Sequence, residues 1–101
     1  MNKKEQWRTI TQDERYEVSN LGRVRNKKSG HVLACNPTKS HRHPQVFLMG
    51  NMWGRLQLTV SHLVWHEFNN QPYFYGDRIG HKDGDILNNR LENLYLISKK
   101  A

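Results

Sequence analysis

The sequence predicts an α+β chain, and three observations carry that expectation. Short runs of alternating apolar and polar residues recur before position 60, as in Tyr16-Glu17-Val18-Ser19, the period of half-buried strands. One stretch switches period: Val60, Leu63, Val64 and Phe68 follow i, i+3, i+4, i+8, the apolar stripe of a short helix. Two apolar segments then close the chain, Arg78-Ile79-Gly80-His81 and Leu94-Tyr95-Leu96-Ile97, around a connection rich in turn formers. The expected order is a small antiparallel sheet over 1–59, then a helix and a hairpin over 60–101, forming one compact unit.

Trp7-Arg8-Thr9-Ile10 is expected to open the sheet, after a polar tail and before a turn at Gln12–Arg15. Tyr16–Ser19 and Arg23-Val24-Arg25 flank Asn20-Leu21-Gly22 as a tight hairpin. Alternation sends Tyr16, Val18 and Val24 inward and sets Arg23 and Arg25 together on the outer face. Lys27-Lys28-Ser29-Gly30 reads as a turn, His31–Cys35 as a third strand, and Asn36–Pro44 as a polar loop. Gln45–Met49 and Arg55–Val60 pair across Gly50–Gly54. Thr59 or Ser61 is placed to cap the helix, and Asn69-Asn70-Gln71-Pro72 ends it. His62 and His66 fall on the face opposite the apolar stripe. Their i, i+4 spacing permits a metal, but without a third ligand they are expected to be exposed basic residues. The aromatic triplet Tyr73-Phe74-Tyr75 follows, as core filler or as a patch for a partner.

Composition narrows the function classes. Apolar residues make up 36% of 101 residues and mean hydropathy is −0.90, which leaves a thin core. No run is long enough to span a bilayer, and Met1–Trp7 lacks the apolar segment of a signal peptide. The single cysteine, Cys35, excludes an internal disulfide and any cysteine-based zinc site. These features fit a cytoplasmic protein of a reducing compartment. The formal net charge is +7, and residues 1–45 hold ten Lys/Arg against four Asp/Glu. No acidic residue lies between Glu17 and Glu67, while Arg23, Arg25, Lys27, Lys28, Lys39, Arg42 and Arg55 all do. Surfaces normally mix signs, so this interval points to a polyanionic partner and excludes mimicry of DNA. Arg23 and Arg25 are placed to reach phosphates or guanine edges.

The closing hairpin is where chemistry is expected. His81 ends its first strand, and imidazole is the side chain suited to take a proton from water near neutral pH. Asp83-Gly84 marks a left-handed turn, followed by Asn88-Asn89. Asn93 is able to hold either an imidazole or a backbone turn. Loops of this composition also occur with a purely structural role.

Three blocks in order carry a resemblance to a known family. YEVSNLGRVR at 16–25 looks like part of the modular N-terminal domain of phage and intron-encoded HNH homing endonucleases. VSHLVWHEF at 60–68 is similar to the helix before their catalytic hairpin, and GHKDGD, NN and ENL within 80–94 resemble the HNH motif. The resemblance implies a DNA-docking antiparallel sheet and a ββα-metal hairpin, in which a divalent cation binds the scissile phosphate and a His activates water. By position His81 matches the general base, Asn93 the loop-bracing asparagine, and Asn88 and Asn89 supporting asparagines.

The departures shape the expected function. The metal-ligating residue that usually precedes the base is Gly80 here. The sequence given ends at Lys99-Lys100-Ala101 without the helix that carries a second ligand, so the hairpin reads as a truncated ββα unit. The family's His at the start of the preceding helix is Ser61, with a His at 62. Hard cations need oxygen ligands, and losing one electrostatic stabiliser costs about 10²–10³ in rate. The expectation is a double-stranded-DNA-binding protein derived from an HNH endonuclease, with no metal site and little or no cleavage. Two alternatives stand beside it. One is an active nicking endonuclease using Mg²⁺ or Mn²⁺, with His81 as base. The other is a small phage effector that binds and inhibits a host protein in the host cytoplasm.

Overall fold

A computed structural model describes residues 4–37, 42–49, 55–74 and 76–98. Among the described residues, seven strands and one helix follow in the order β1 (Trp7–Thr9), β2 (Tyr16–Ser19), β3 (Val24–Asn26), β4 (Gln45–Met49), β5 (Arg55–Thr59), α1 (Val60–Phe68), β6 (Arg78–His81) and β7 (Leu94–Ser98), with a 3-10 turn at Leu91–Asn93. All pairing is antiparallel, and it is divided among three small sheets, β1-β2-β3, β4-β5 and β6-β7. The α+β class agrees with the sequence reading, and so does the element order apart from one expected strand.

The first hairpin forms as its alternation dictates. Val18 pairs with Val24, both are fully buried, and Tyr16 is nearly so. Ser19 Oγ accepts from the Leu21 and Arg23 amides, and Gly22 takes φ +87° to turn the chain. The third strand expected at His31–Cys35 is absent: only an isolated bridge links Val32 to Arg25, and another links Asn36 to Gln45. β3 is three residues long, and the turn at Asn26–Gly30 rejoins it through the Asn26 amide and the His31 carbonyl. After the Leu33 amide bonds the Val24 carbonyl, β3 offers no further ladder.

β4 and β5 pair in the expected register, Val46 with Leu58 and Leu48 with Leu56. The segment 50–54 that joins them lies outside the described residues. The chain passes directly from Thr59 into α1. Thr59 holds the cap position, yet its hydroxyl makes no capping bond and donates to Gln45 Oε1 instead. Val60, Leu63 and Val64 are fully buried and meet Ile10, Val18, Val24, Val46 and Leu48 in one cluster. Each such side chain contributes about 1.5–3 kcal/mol of apolar burial.

The opposite face of α1 corrects the sequence reading. His66 is fully buried and His62 is half-buried. His66 Nδ1 donates to the His62 carbonyl at 2.7 Å, while Nε2 lies 2.8 Å from Asp77 Oδ2, so both ring nitrogens have partners. His62 Nε2 donates to the Asp77 carbonyl at 2.7 Å. Asp77 precedes β6 and covers the face that periodicity left to solvent. Tyr73 from the expected aromatic triplet packs on both rings, and its hydroxyl oxygen accepts from the Thr59 amide. Phe74 is exposed, and Tyr75 lies outside the described residues. No helix among the described residues is long and apolar enough to cross a membrane.

Candidate functional site

β6 and β7 bring His81 opposite Leu94 and Gly80 opposite Tyr95. Leaving β6, the chain turns at Asp83-Gly84, with Gly84 at φ +77° and its amide donating to the His81 carbonyl. The loop beyond is organised by Asp83 and Asn93. Asp83 Oδ1 accepts from the Asp85 amide (2.8 Å) and Asn93 Nδ2 (2.9 Å), and Oδ2 accepts from Asn88 Nδ2 (2.9 Å). Asn93 also donates to the Asn88 carbonyl and accepts from the Asp83 amide through Oδ1. The Asn88 side chain, then the Asp85 amide and Asn93, lower the Asp83 carboxyl from 3.8 to about 2.

Asn93 therefore holds the turn, and the partner of the His81 ring is Asn89. His81 Nε2 donates to Asn89 Oδ1 at 2.8 Å, which leaves Nδ1 as the nitrogen able to accept a proton in the neutral ring. Asn89 and Asn93 are both buried. Asn89 is in turn backed by the first hairpin. A Cβ on Gly22 would lie 3.0 Å from the Asn89 carbonyl oxygen, and the Leu91 amide donates to the Asn20 carbonyl at 2.8 Å. His81 is half-buried, and the His43 ring lies 5.7 Å from it between centroids. Burial, then the neighbouring His81 and Arg42, hold the His43 imidazole below its ordinary value. Sequence reasoning missed His43, because it sits in an irregular loop with no periodicity to fix its direction.

The residues around His81 do not fit a hard divalent cation. Gly80 offers no donor, and the ring of Tyr95 lies over the place where a side chain would project: a Cβ there would be 2.5 Å from Cζ and 2.8 Å from the hydroxyl oxygen. The Asp83 carboxylate is engaged by three internal donors. Among the described residues no group of three or more His, Cys, Asp or Glu could hold a metal.

The expected basic face is more divided than its sequence indicates. Arg23 pairs with Glu5 and Arg25 with Glu17, the latter at 2.7 Å. Both guanidinium groups lie over the Trp7 ring, Arg25 at 3.8 Å and Arg23 at 5.6 Å from its centroid. The bond to Arg23 holds the Glu5 carboxyl below its ordinary value. Their charge is thus balanced locally, and the acid-free interval did not show this because Glu5 and Glu17 lie outside it. Lys27 and Lys28 are exposed in the turn after β3, and Arg42 is exposed beside His43. Lys39 and the Arg55 side chain lie outside the described residues.

Comparison with known proteins agrees with this architecture. The NUMOD4 motif matches residues 5–48. An HNH endonuclease of Acanthamoeba polyphaga mimivirus is 33% identical over 88 residues, which cover 87% of this chain and 26% of that protein. A structure described as DNA binding and cleavage by the HNH homing endonuclease I-HmuI superposes with a TM-score of 0.74 and 29% identity, covering 92% of this chain and 52% of that one. The chain spans about a quarter of the viral relative and about half of I-HmuI. The motif over β1–β4, the similarity to the viral endonuclease and the shared fold together show a likeness to proteins of the HNH homing-endonuclease type.

Proposed function

We propose that this chain binds double-stranded DNA through an HNH-endonuclease scaffold and cleaves it little or not at all. The observation that carries the second half is the Tyr95 ring lying over Gly80. A phosphodiester transition state gathers negative charge, and this family uses a cation to stabilise it. With Gly80 bare, Asp83 internally bonded and Asn89 Oδ1 already accepting from the ring, the described residues beside His81 offer its proton-accepting nitrogen poor support for anchoring that ion. The DNA binding described for the I-HmuI structure and the net charge of +7 support DNA as the partner.

Affinity for duplex DNA is expected to fall with salt by roughly 0.9 log units per log unit of salt for each phosphate neutralised. Absence of any gel shift at low salt contradicts the binding half. The cleavage half is tested on supercoiled plasmid with Mg²⁺ or Mn²⁺, comparing wild type with His81→Ala. The expected result is no nicking that depends on both metal and His81. Metal-dependent nicking lost in the variant establishes instead an active nicking enzyme with His81 as base, a reading that the intact His81–Asn89 bond favours.

A further inference from the structure

A cleft of about 560 Å³ opens beside the His43–His81 pair, lined by Arg42, His43, Ser61, His62, Arg78 and Ile97 among others. We propose that this cleft holds a phosphodiester group of a DNA strand, gripped by Arg42 and Arg78, with the adjoining sugar against Ile79 and Ile97. The proposal rests on the DNA-binding reading and names a site for it distinct from the β1-β2-β3 sheet.

The charge of the cleft is the first argument. Arg15, Arg23 and Arg25 are each bonded to a carboxylate. Among the described residues neither Arg42 nor Arg78 has a carboxylate partner, and both are exposed. The one acidic residue in the lining, Asp77, has a side chain only 1% exposed, held by His66. No acidic residue occupies the first turn of α1, which forms part of the wall through Ser61 and His62. A cleft with two such guanidinium groups and no exposed carboxylate selects an anion, and guanidinium matches phosphate in geometry as well as charge.

Size and position then select a strand over a free ion. The volume lies in the range of sites that enclose a small organic ligand, well above what one phosphate fills. Ile79 and Ile97 supply an apolar wall that a bare ion would not use. His43 borders both the cleft and the His81 ring, so a strand seated here continues past His81. His43 faces Arg42 and His81, and a phosphate in the cleft offsets the repulsion they exert on its charged form.

The test is an NMR titration of the whole chain with three probes: a 5′-phosphorylated DNA dinucleotide, its neutral methylphosphonate-linked counterpart without the 5′-phosphate, and inorganic phosphate. The dinucleotide is expected to shift the Ser61, His62 and Arg78 amides saturably. The neutral counterpart is expected to leave them in place, and inorganic phosphate to bind about tenfold or more weakly, as does the dinucleotide to the Arg42→Gln/Arg78→Gln variant. Gln12→Ala, an exposed position that does not line the cleft, is expected to bind the dinucleotide as wild type does. Unmoved cleft amides, unchanged binding by the double variant, equal binding of the neutral probe, or inorganic phosphate binding as tightly as the dinucleotide each overturns the proposal. In duplex gel shifts the double variant is expected to lose about 0.9 from the salt slope per phosphate released. Failure of wild type to bind duplex at all removes the DNA-binding reading, and the dinucleotide titration then decides the cleft by itself.

Discussion

Gly80 and Tyr95 show how one missing side chain is answered by a neighbour. An aromatic residue opposite a strand glycine covers the exposed backbone and restores cross-strand contact. The ring is 44% exposed, so it is able to swing outward when something larger than hydrogen occupies position 80. Gly80→Asp is therefore expected to cost only about 0.5–1 kcal/mol in urea unfolding, with part of the cost removed when Tyr95→Ala is added. Additive effects of the two changes contradict the contact. Asp83 carries a second expectation at this scale. Its carboxyl ionises more readily in the folded chain than unfolded, so its support is complete above the ordinary 3.8 and is lost as pH falls toward about 2. The Asp85 and Asn93 amide signals are expected to shift together in that window, and amides that stay fixed down to pH 2 count against it. Asn93→Ala removes three bonds made by one side chain and is expected to destabilise by about 1–3 kcal/mol, measured in urea.

Between elements, the contact of the β2–β3 turn with the β6–β7 loop has the largest reach. Gly22→Ala places a methyl group 3.0 Å from the Asn89 carbonyl oxygen and forces an L-residue to φ +87°. The expected cost is about 1–3 kcal/mol, together with a changed His81 ring signal in NMR although position 22 lies in the β2–β3 turn and position 81 on β6. An unchanged ring signal shows that Asn89 holds its place without the hairpin. None of this coupling was legible in the sequence, where Gly22 and Asn89 each read as local turn residues. What was legible followed local period: the 16–25 hairpin, the β4–β5 pairing, the apolar stripe of α1 and the β6–β7 hairpin ending in His81. Periodicity failed on the second face of α1, because the residue that covers it, Asp77, arrives from a segment with no repeat of its own. The expected strand at His31–Cys35 failed for the opposite reason, since good strand residues lacked a ladder long enough to join. Asn93 was read as able to serve either ring or turn, and only the fold shows that it serves the turn while Asn89 serves the ring.

Across the whole molecule, α1 sits against every sheet, bonded to β1's flank through Glu67 and Thr11 and to the approach of β6 through His66 and Asp77. Asp77→Ala leaves His66 buried without its carboxylate, and its removal is expected to cost about 3–5 kcal/mol in thermal or urea unfolding. A loss below 1 kcal/mol means that the buried ring is stable without it. The NUMOD4 match stops at residue 48, inside β4, whose hydrogen-bonding partner β5 begins at Arg55. Excised along its sequence boundary, the motif would carry a naked strand edge displaying Val46 and Leu48, the kind of surface that recruits another copy of itself. Anyone grafting this module onto a foreign protein therefore needs a cut beyond Thr59, and the shorter graft is expected to run as an aggregate on a sizing column.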